Sequence, residues 1–353
     1  MPAAFPRESV RMNRMHWLDS LAARFLVTRQ PRFFEDGWGS SALLEKLIRG
    51  PVGFAFPELS EVTMSQPRRE GHLLIQEGGF PSPAAVGSLP ESCREARFQL
   101  LLPHDAGARP PVCVFLAASG DEGFGLRRFI AKELAHYGVG SLLLENPYYG
   151  SRRPPEQKGP AVRTVLDLLL MFRATAVEAT ALLGWLLARG YPKVGISGYS
   201  MGGSIAAYAA TMFPLPAAVI PLAAAHSSAP VFTEGVLSAL PDWEALGRTT
   251  GGPEAARKRL TELLSAAATT ALPPLSNPHR AILVAARRDG FVPSSSTLRL
   301  LQHWRGAELR YLPGGHLSAF FTGRSAIIRA ILDAFSRVEA LQLPPEEPPS
   351  SQA

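Results

Sequence analysis

The 353-residue sequence predicts an α/β fold, with a mostly parallel central sheet and helices on both faces. Three observations carry this expectation. Short, fully apolar runs alternate with longer segments of helical periodicity, the rhythm of βα units. The run Lys193-Val194-Gly195-Ile196 leads directly into Ser197-Gly198-Tyr199-Ser200-Met201-Gly202-Gly203, a G-x-S-x-G pattern on a strand-to-helix turn. An Asp and a His follow, in that order, each just past the end of a further strand-like run.

The elements follow in order. Residues 1–95 read as a helical and irregular segment packed on the core. Trp17, Leu21, Phe25 and Leu26 share one helical face, and Phe33-Phe34-Glu35-Asp36-Gly37-Trp38-Gly39 forms an aromatic turn. The Pro- and Gly-rich stretch from about 51 to 95 reads as a sheet edge with irregular cover, around the apolar piece Leu73-Leu74-Ile75. Residues 96–341 form the main domain. It opens on Phe98-Gln99-Leu100-Leu101-Leu102. The central strand Val112-Cys113-Val114-Phe115-Leu116-Ala117 follows, then a helix near 126–137 and the strand Gly140-Ser141-Leu142-Leu143-Leu144. A long helix over 161–189 ends at Gly190, suited to a C-cap. The strand and helix of the serine turn come next, and then Ala217-Ala218-Val219-Ile220. Residues 226–279 break the alternation and read as a cap. The strands Ala281–Ala286 and Ala307–Leu312 and a helix from Ile327 to Leu341 close the domain. The Pro- and Glu-rich residues 342–353 read as a disordered tail.

The chemistry lies in the serine turn. A strand that turns sharply into a helix holds the serine in a strained conformation, and Gly198 and Gly202 supply room where side chains would collide. Asp289 sits beyond Ala281–Ala286, and Pro313-Gly314-Gly315-His316 turns off the last strand. The order Ser200, Asp289, His316 is that of an α/β-hydrolase nucleophile, orienting acid and base. One oxyanion donor is the Met201 N–H. The other is expected near Ser119 or Gly120, in the loop after Val112–Ala117. Three arginine pairs, Arg127-Arg128, Arg152-Arg153 and Arg287-Arg288, fall on loops at the carboxyl ends of strands. They are candidate holders of a substrate phosphate or carboxylate, and Tyr148 and Tyr149 are candidate pocket walls. His226 precedes the Asp289 strand and reads as structural.

Net charge +6 with a sequence pI near 9.6 favours anionic partners such as a phospholipid surface. No nucleic-acid motif is present, and the glycines near Ser200 do not space as G-x-G-x-x-G, so nucleic acid and a dinucleotide cofactor are excluded. The two cysteines, Cys93 and Cys113, imply neither a disulfide framework nor a zinc site, and no cofactor or metal is expected. The first thirty residues lack an apolar secretory core. Their arginine spacing has the bias of a mitochondrial transit peptide, against which Glu8 and Asp19 stand.

The chain resembles the α/β-hydrolase domain-containing protein 18 family over roughly residues 15–340. The resemblance rests on Leu143-Leu144-Glu145-Asn146-Pro147-Tyr148-Tyr149-Gly150, the glycine-serine turn, Val231-Phe232-Thr233-Glu234-Gly235-Val236-Leu237-Ser238, and Arg310-Tyr311-Leu312-Pro313-Gly314-Gly315-His316-Leu317-Ser318-Ala319. Gly37-Trp38-Gly39 also resembles the family's N-terminal start. The resemblance implies an α/β-hydrolase fold, Ser200, Asp289 and His316 as the triad, and hydrolysis of a lipid acyl ester, a mitochondrial phospholipid such as cardiolipin among the substrates. It also implies that the arginine-rich start belongs to the fold. The run between Ser238 and the Asp289 strand is shorter than in animal members. The triad alone does not distinguish ester, thioester and peptide bonds, and a non-catalytic membrane-docking scaffold is the reading from a different class.

Overall fold

The computed structural model describes residues 16–21, 31–50, 56–84, 88–105 and 109–339. The tail 342–353, the Arg-rich positions before His16, and Phe25 and Leu26 lie outside the described residues.

Ten strands form one sheet: β1 (Thr63–Met64), β2 (Arg68–Glu70), β3 (Leu73–Pro81), β4 (Glu95–Pro103), β5 (Val112–Leu116), β6 (Gly140–Leu144), β7 (Val194–Tyr199), β8 (Ala218–Leu222), β9 (Ile282–Ala286) and β10 (Glu308–Leu312). Their spatial order is β1-β3-β4-β6-β5-β7-β8-β9-β10, with β2 paired to β3. From β6 to β10 every pairing is parallel. Strands β5 to β9 are buried at every position. A parallel sheet covered on both faces favours such near-continuous apolar runs, here interrupted by the buried Ser141 in β6 and Ser197 in β7.

The antiparallel side is larger than expected from sequence. Residues 63–81 supply three strands, and β3 pairs with β4 along its whole length from Leu73↔Pro103 to Pro81↔Glu95. The segment 1–95 therefore adds to the sheet as well as covering it.

The helices are α1 (Ser41–Arg49), α2 (Gly125–His136), α3 (Val165–Ala188), α4 (Met201–Met212), α5 (Ala229–Thr233), α6 (Trp243–Gly247), α7 (Pro253–Ala266), α8 (Ser294–His303), α9 (His316–Thr322) and α10 (Arg324–Ser336). Side chains of α3, α4 and α8 pack on one face of the sheet. Those of α2, α9 and α10 pack on the other. Helix α3 starts in a capping box, in which Thr164 Oγ1 accepts from Asp167 N–H and Asp167 accepts from Thr164 N–H. Gly190, at φ +79°, turns the chain off its far end.

Between β8 and β9 the chain leaves the sheet as α5, α6 and α7. This insertion is stitched to the aromatic turn. Trp38 Nε1–H donates to Leu246 O at 2.9 Å, the Phe33 and Phe232 rings lie 5.3 Å apart, and Phe33 N–H donates to Leu240 O. These residues and the first turns of α3 share a third apolar cluster.

β5 lies between β6 and β7, so the chain leaves β5 to one side and returns on the other. A crevice opens at the carboxyl ends of strands where the winding reverses. The loop after β5 and the turn after β7 meet there.

Candidate active site

Ser200 stands between β7 and α4 at φ +56°, ψ −119°. A non-glycine residue in that region costs on the order of 1–3 kcal/mol, held by its surroundings. Here Ser200 N–H donates to Leu222 O at 2.8 Å, locking the turn to β8. The glycines are steric necessities. A Cβ on Gly202 would lie 2.3 Å from Leu116 O, and one on Gly198 2.5 Å from the Gly202 carbonyl. The close approach also brings the loop after β5 beside the first turn of α4.

Asp289 and His316 meet at the ends of β9 and β10. Asp289 Oδ2 lies 2.7 Å from His316 Nδ1, and both side chains are 5% exposed. Oδ1 accepts from Phe291 N–H at 2.9 Å and Val292 N–H at 2.8 Å, fixing the carboxylate. Phe291 stacks on the imidazole with ring centres 5.0 Å apart, and the Tyr199 hydroxyl donates to His316 O. A carboxylate on Nδ1 demands Nδ1–H, which leaves Nε2 as the free basic nitrogen. Burial, with the Asp289 and Asp19 charges, pushes the Tyr199 hydroxyl well above its ordinary pKa, so it remains a donor.

Ser200 and His316 line one cavity of about 930 Å³, and among the described residues the Ser200 hydroxyl makes no hydrogen bond of its own. Leu18, Leu21, Leu126, Leu237, Leu240 and Phe321 contribute to an apolar wall, and among the described residues no Lys, Arg, Asp or Glu lines the cavity.

The oxyanion loop corrects one expectation. Gly120 N–H donates to the Tyr149 hydroxyl at 3.3 Å and is not free for substrate. The N–H groups of Ala118, Ser119 and Met201 have no acceptor among the described residues. The Ser119 and Met201 N–H groups are thus unengaged among the described residues, and so is that of Ala118. Burial raises the Tyr149 pKa, partly offset by Ser119 and Gly120, so this hydroxyl stays neutral.

None of the eight expected substrate-binding residues lines the cavity. Arg127 is buried, pairs with Asp121 at 2.7 Å, and donates to the carbonyls of Phe115, Gly123 and Leu144. Arg152 is fully buried in a two-pronged ion pair with Glu178, at 2.6 and 2.8 Å, and also donates to the Glu145 and Cys93 carbonyls. Arg128 turns to Gln99, Arg153 pairs with Glu122, and Arg287 lies over the Tyr311 ring. Arg288 is exposed, and its backbone accepts from His16 N–H. Tyr148 and Tyr149 are buried in packing, Tyr148 at φ +66°. The reason is general: a guanidinium at a buried strand end is held by the carbonyls that the strand leaves unpaired. His226 is buried too, bonded to Ser296 Oγ at 2.6 Å and away from Ser200's cavity.

Among the described residues, no group of three or more His, Cys, Asp or Glu is placed to hold a metal ion. No described helix is long and apolar enough to cross a membrane.

The chain is similar to two uncharacterized proteins of Mycobacterium tuberculosis, from strains CDC 1551 and H37Rv. Each is 27% identical over 328 residues, covering 86% of this chain and 74% of the relative. Among solved structures it is similar to the acetyl xylan esterase from Paenibacillus sp. R4 (TM-score 0.57, 15% identity, 87% of this chain and 99% of that one). It is also similar to acetyl xylan esterase 1 from Thermoanaerobacterium sp. (TM-score 0.54, 11% identity, 87% and 98%). At these identities the likeness shows the α/β-hydrolase fold and not a substrate. The family model for α/β hydrolase domain containing 18 matches residues 31–250 and 248–337, and the chain belongs to that family.

Proposed function

We propose that the protein is a serine ester hydrolase acting on a carboxylic ester with a long apolar acyl group, such as a lipid acyl ester. The observation that carries this is the buried Asp289–His316 pair facing the same apolar cavity as a strained Ser200. In this reading His316 Nε2 takes the Ser200 proton as Oγ attacks the ester carbonyl. The developing oxyanion is held by the N–H groups of Met201 and of Ala118 or Ser119, at the positive end of α4. The alcohol leaves with the proton from His316. Water, activated by the same imidazole, then releases the acid from Ser200.

The cavity wall favours hydrocarbon over a charged group, because an unpaired ion there would lose its hydration without a partner. Its rim favours contact with a lipid surface. Leu21 and Phe321 are each 59% exposed, and Leu126 and Leu317 are exposed beside them. The net charge of +6 complements an anionic membrane.

The test is turnover of p-nitrophenyl esters of increasing acyl length, and of phospholipid in neutral and anionic vesicles. The reading expects kcat/KM to rise from acetyl to at least octanoyl, with fatty acid released preferentially from anionic vesicles. A preference for acetyl esters would remove the lipid reading. No ester turnover at all would remove the hydrolase reading.

A further inference from the structure

Asp19 lies before residue 31, where the family match begins, and the sequence flags it only as an acid among N-terminal arginines. Its carboxylate is fully buried. Oδ2 accepts from His316 N–H at 2.7 Å and from Gly290 N–H at 3.0 Å, and Oδ1 accepts from Leu317 N–H at 3.1 Å. One side chain thus fastens the first two residues of α9 and the residue that follows Asp289. A second tie reinforces it: His16 N–H donates to Arg288 O at 3.3 Å, on the other side of Asp289. The fit is close, since a Cβ on Gly315 would lie 2.5 Å from Asp19 Oδ2 and from His16 Cβ. Leu18 and Leu21, on the same helical turn, line the cavity that Ser200 and His316 face.

We propose that Asp19 is a positioning residue for the reaction. It holds the Asp289 loop and the His316 helix start in register, and it seats Leu18 and Leu21 as one wall of the acyl cavity. Two loops from different strand ends have no covalent reason to keep hydrogen-bond distance. A buried carboxylate that accepts from both converts two independent motions into one, and a displacement near 1 Å at a reacting group costs up to about 100-fold in rate. The groups facing His316 are then Asp289 on Nδ1, Asp19 on its backbone N–H, Tyr199 on its carbonyl and Phe291 on its ring face.

This inference rests on His316 as the base of the ester hydrolysis proposed above. The experiment compares wild type, Asp19→Asn and Gly315→Ala on p-nitrophenyl octanoate. Active sites are titrated with a fluorophosphonate so that rates refer to folded, reactive enzyme. Asp19→Asn is expected to lower kcat about 10- to 100-fold. It also moves the acid limb of kcat/KM to lower pH, since a negative charge beside the imidazolium is lost. Gly315→Ala, which keeps the charge but displaces the carboxylate, is expected to lower kcat with a smaller shift of that limb. A purely structural cap would reduce the amount of titratable enzyme while leaving kcat per site and the acid limb unchanged, and that result overturns the proposal. Wild type that neither turns over ester nor reacts with the fluorophosphonate overturns the ester-hydrolase reading instead.

Discussion

Replacing Arg152 separates a structural ion pair from a substrate anchor. Arg152 and Glu178 are both fully buried and joined at 2.6 and 2.8 Å. In Arg152→Met, the Glu178 carboxylate keeps, among the described residues, only the Ser82 hydroxyl, which donates to Oε1 at 2.6 Å, and the Glu145 and Cys93 carbonyls lose a donor. Stranding one ion of a buried pair costs about 3–5 kcal/mol. That is a large share of the roughly 5–15 kcal/mol by which a domain is stable. Arg152→Met/Glu178→Met removes the stranded charge, and should recover at least about 2 kcal/mol of the loss. The assay is equilibrium urea unfolding of wild type, both single variants and the double, with KM for one neutral and one anionic ester. Stability should fall while both KM values hold. A stability loss under about 1 kcal/mol, with KM raised for the anionic ester alone, would refute the reasoning and restore Arg152 as a substrate anchor.

Three further outcomes are expected. Gly202→Ala forces a Cβ to 2.3 Å from Leu116 O and so displaces the loop carrying the proposed oxyanion donors; kcat should drop by about 100-fold or more, and an unchanged acyl-enzyme burst would count against the loop geometry. Tyr149→Phe removes the acceptor of Gly120 N–H. A lost hydrogen bond of about 1 kcal/mol corresponds to roughly a 5-fold lower kcat if it holds the loop; equal kcat in the two proteins would show that the loop holds itself. Burial, with the Arg299 charge, lowers the His226 pKa below its ordinary 6.5. The unfolded chain therefore binds a proton that the folded chain refuses, so stability is full above about pH 6.5 and falls as the pH drops toward the folded pKa. The slope is at most about 1.4 kcal/mol per pH unit. Melting temperatures at pH 7.5 and 5.5 should differ less in His226→Gln than in wild type, and parallel curves would exclude His226 as the source.

Much of the parallel half of the fold is legible in the sequence, because β5 and β9 are unbroken apolar runs and β6 and β7 are interrupted only by glycine and one serine each. Ser200, Asp289 and His316 stand out because each lies within a few residues of the end of a strand, β7, β9 and β10, and the sheet places strand ends together. The antiparallel edge was harder, since β2 is Arg-Arg-Glu and takes its place by pairing with β3, not by hydrophobicity. The arginine pairs mislead because the sequence hides their partners. Glu178 lies in the middle of an apolar helix, where periodicity reads only its neighbours, yet it is the acid that claims Arg152. Asp19 had no local signal, since its three partners lie more than 270 residues away and are all backbone N–H groups, which a sequence does not distinguish.

The most direct measurement is mass spectrometry of the intact protein and its peptides after reaction with a fluorophosphonate. The account predicts one adduct, on Ser200, formed quickly by wild type, slowly by His316→Ala and not at all by Ser200→Ala. An adduct on another residue, or equal labelling of Ser200→Ala, would contradict it.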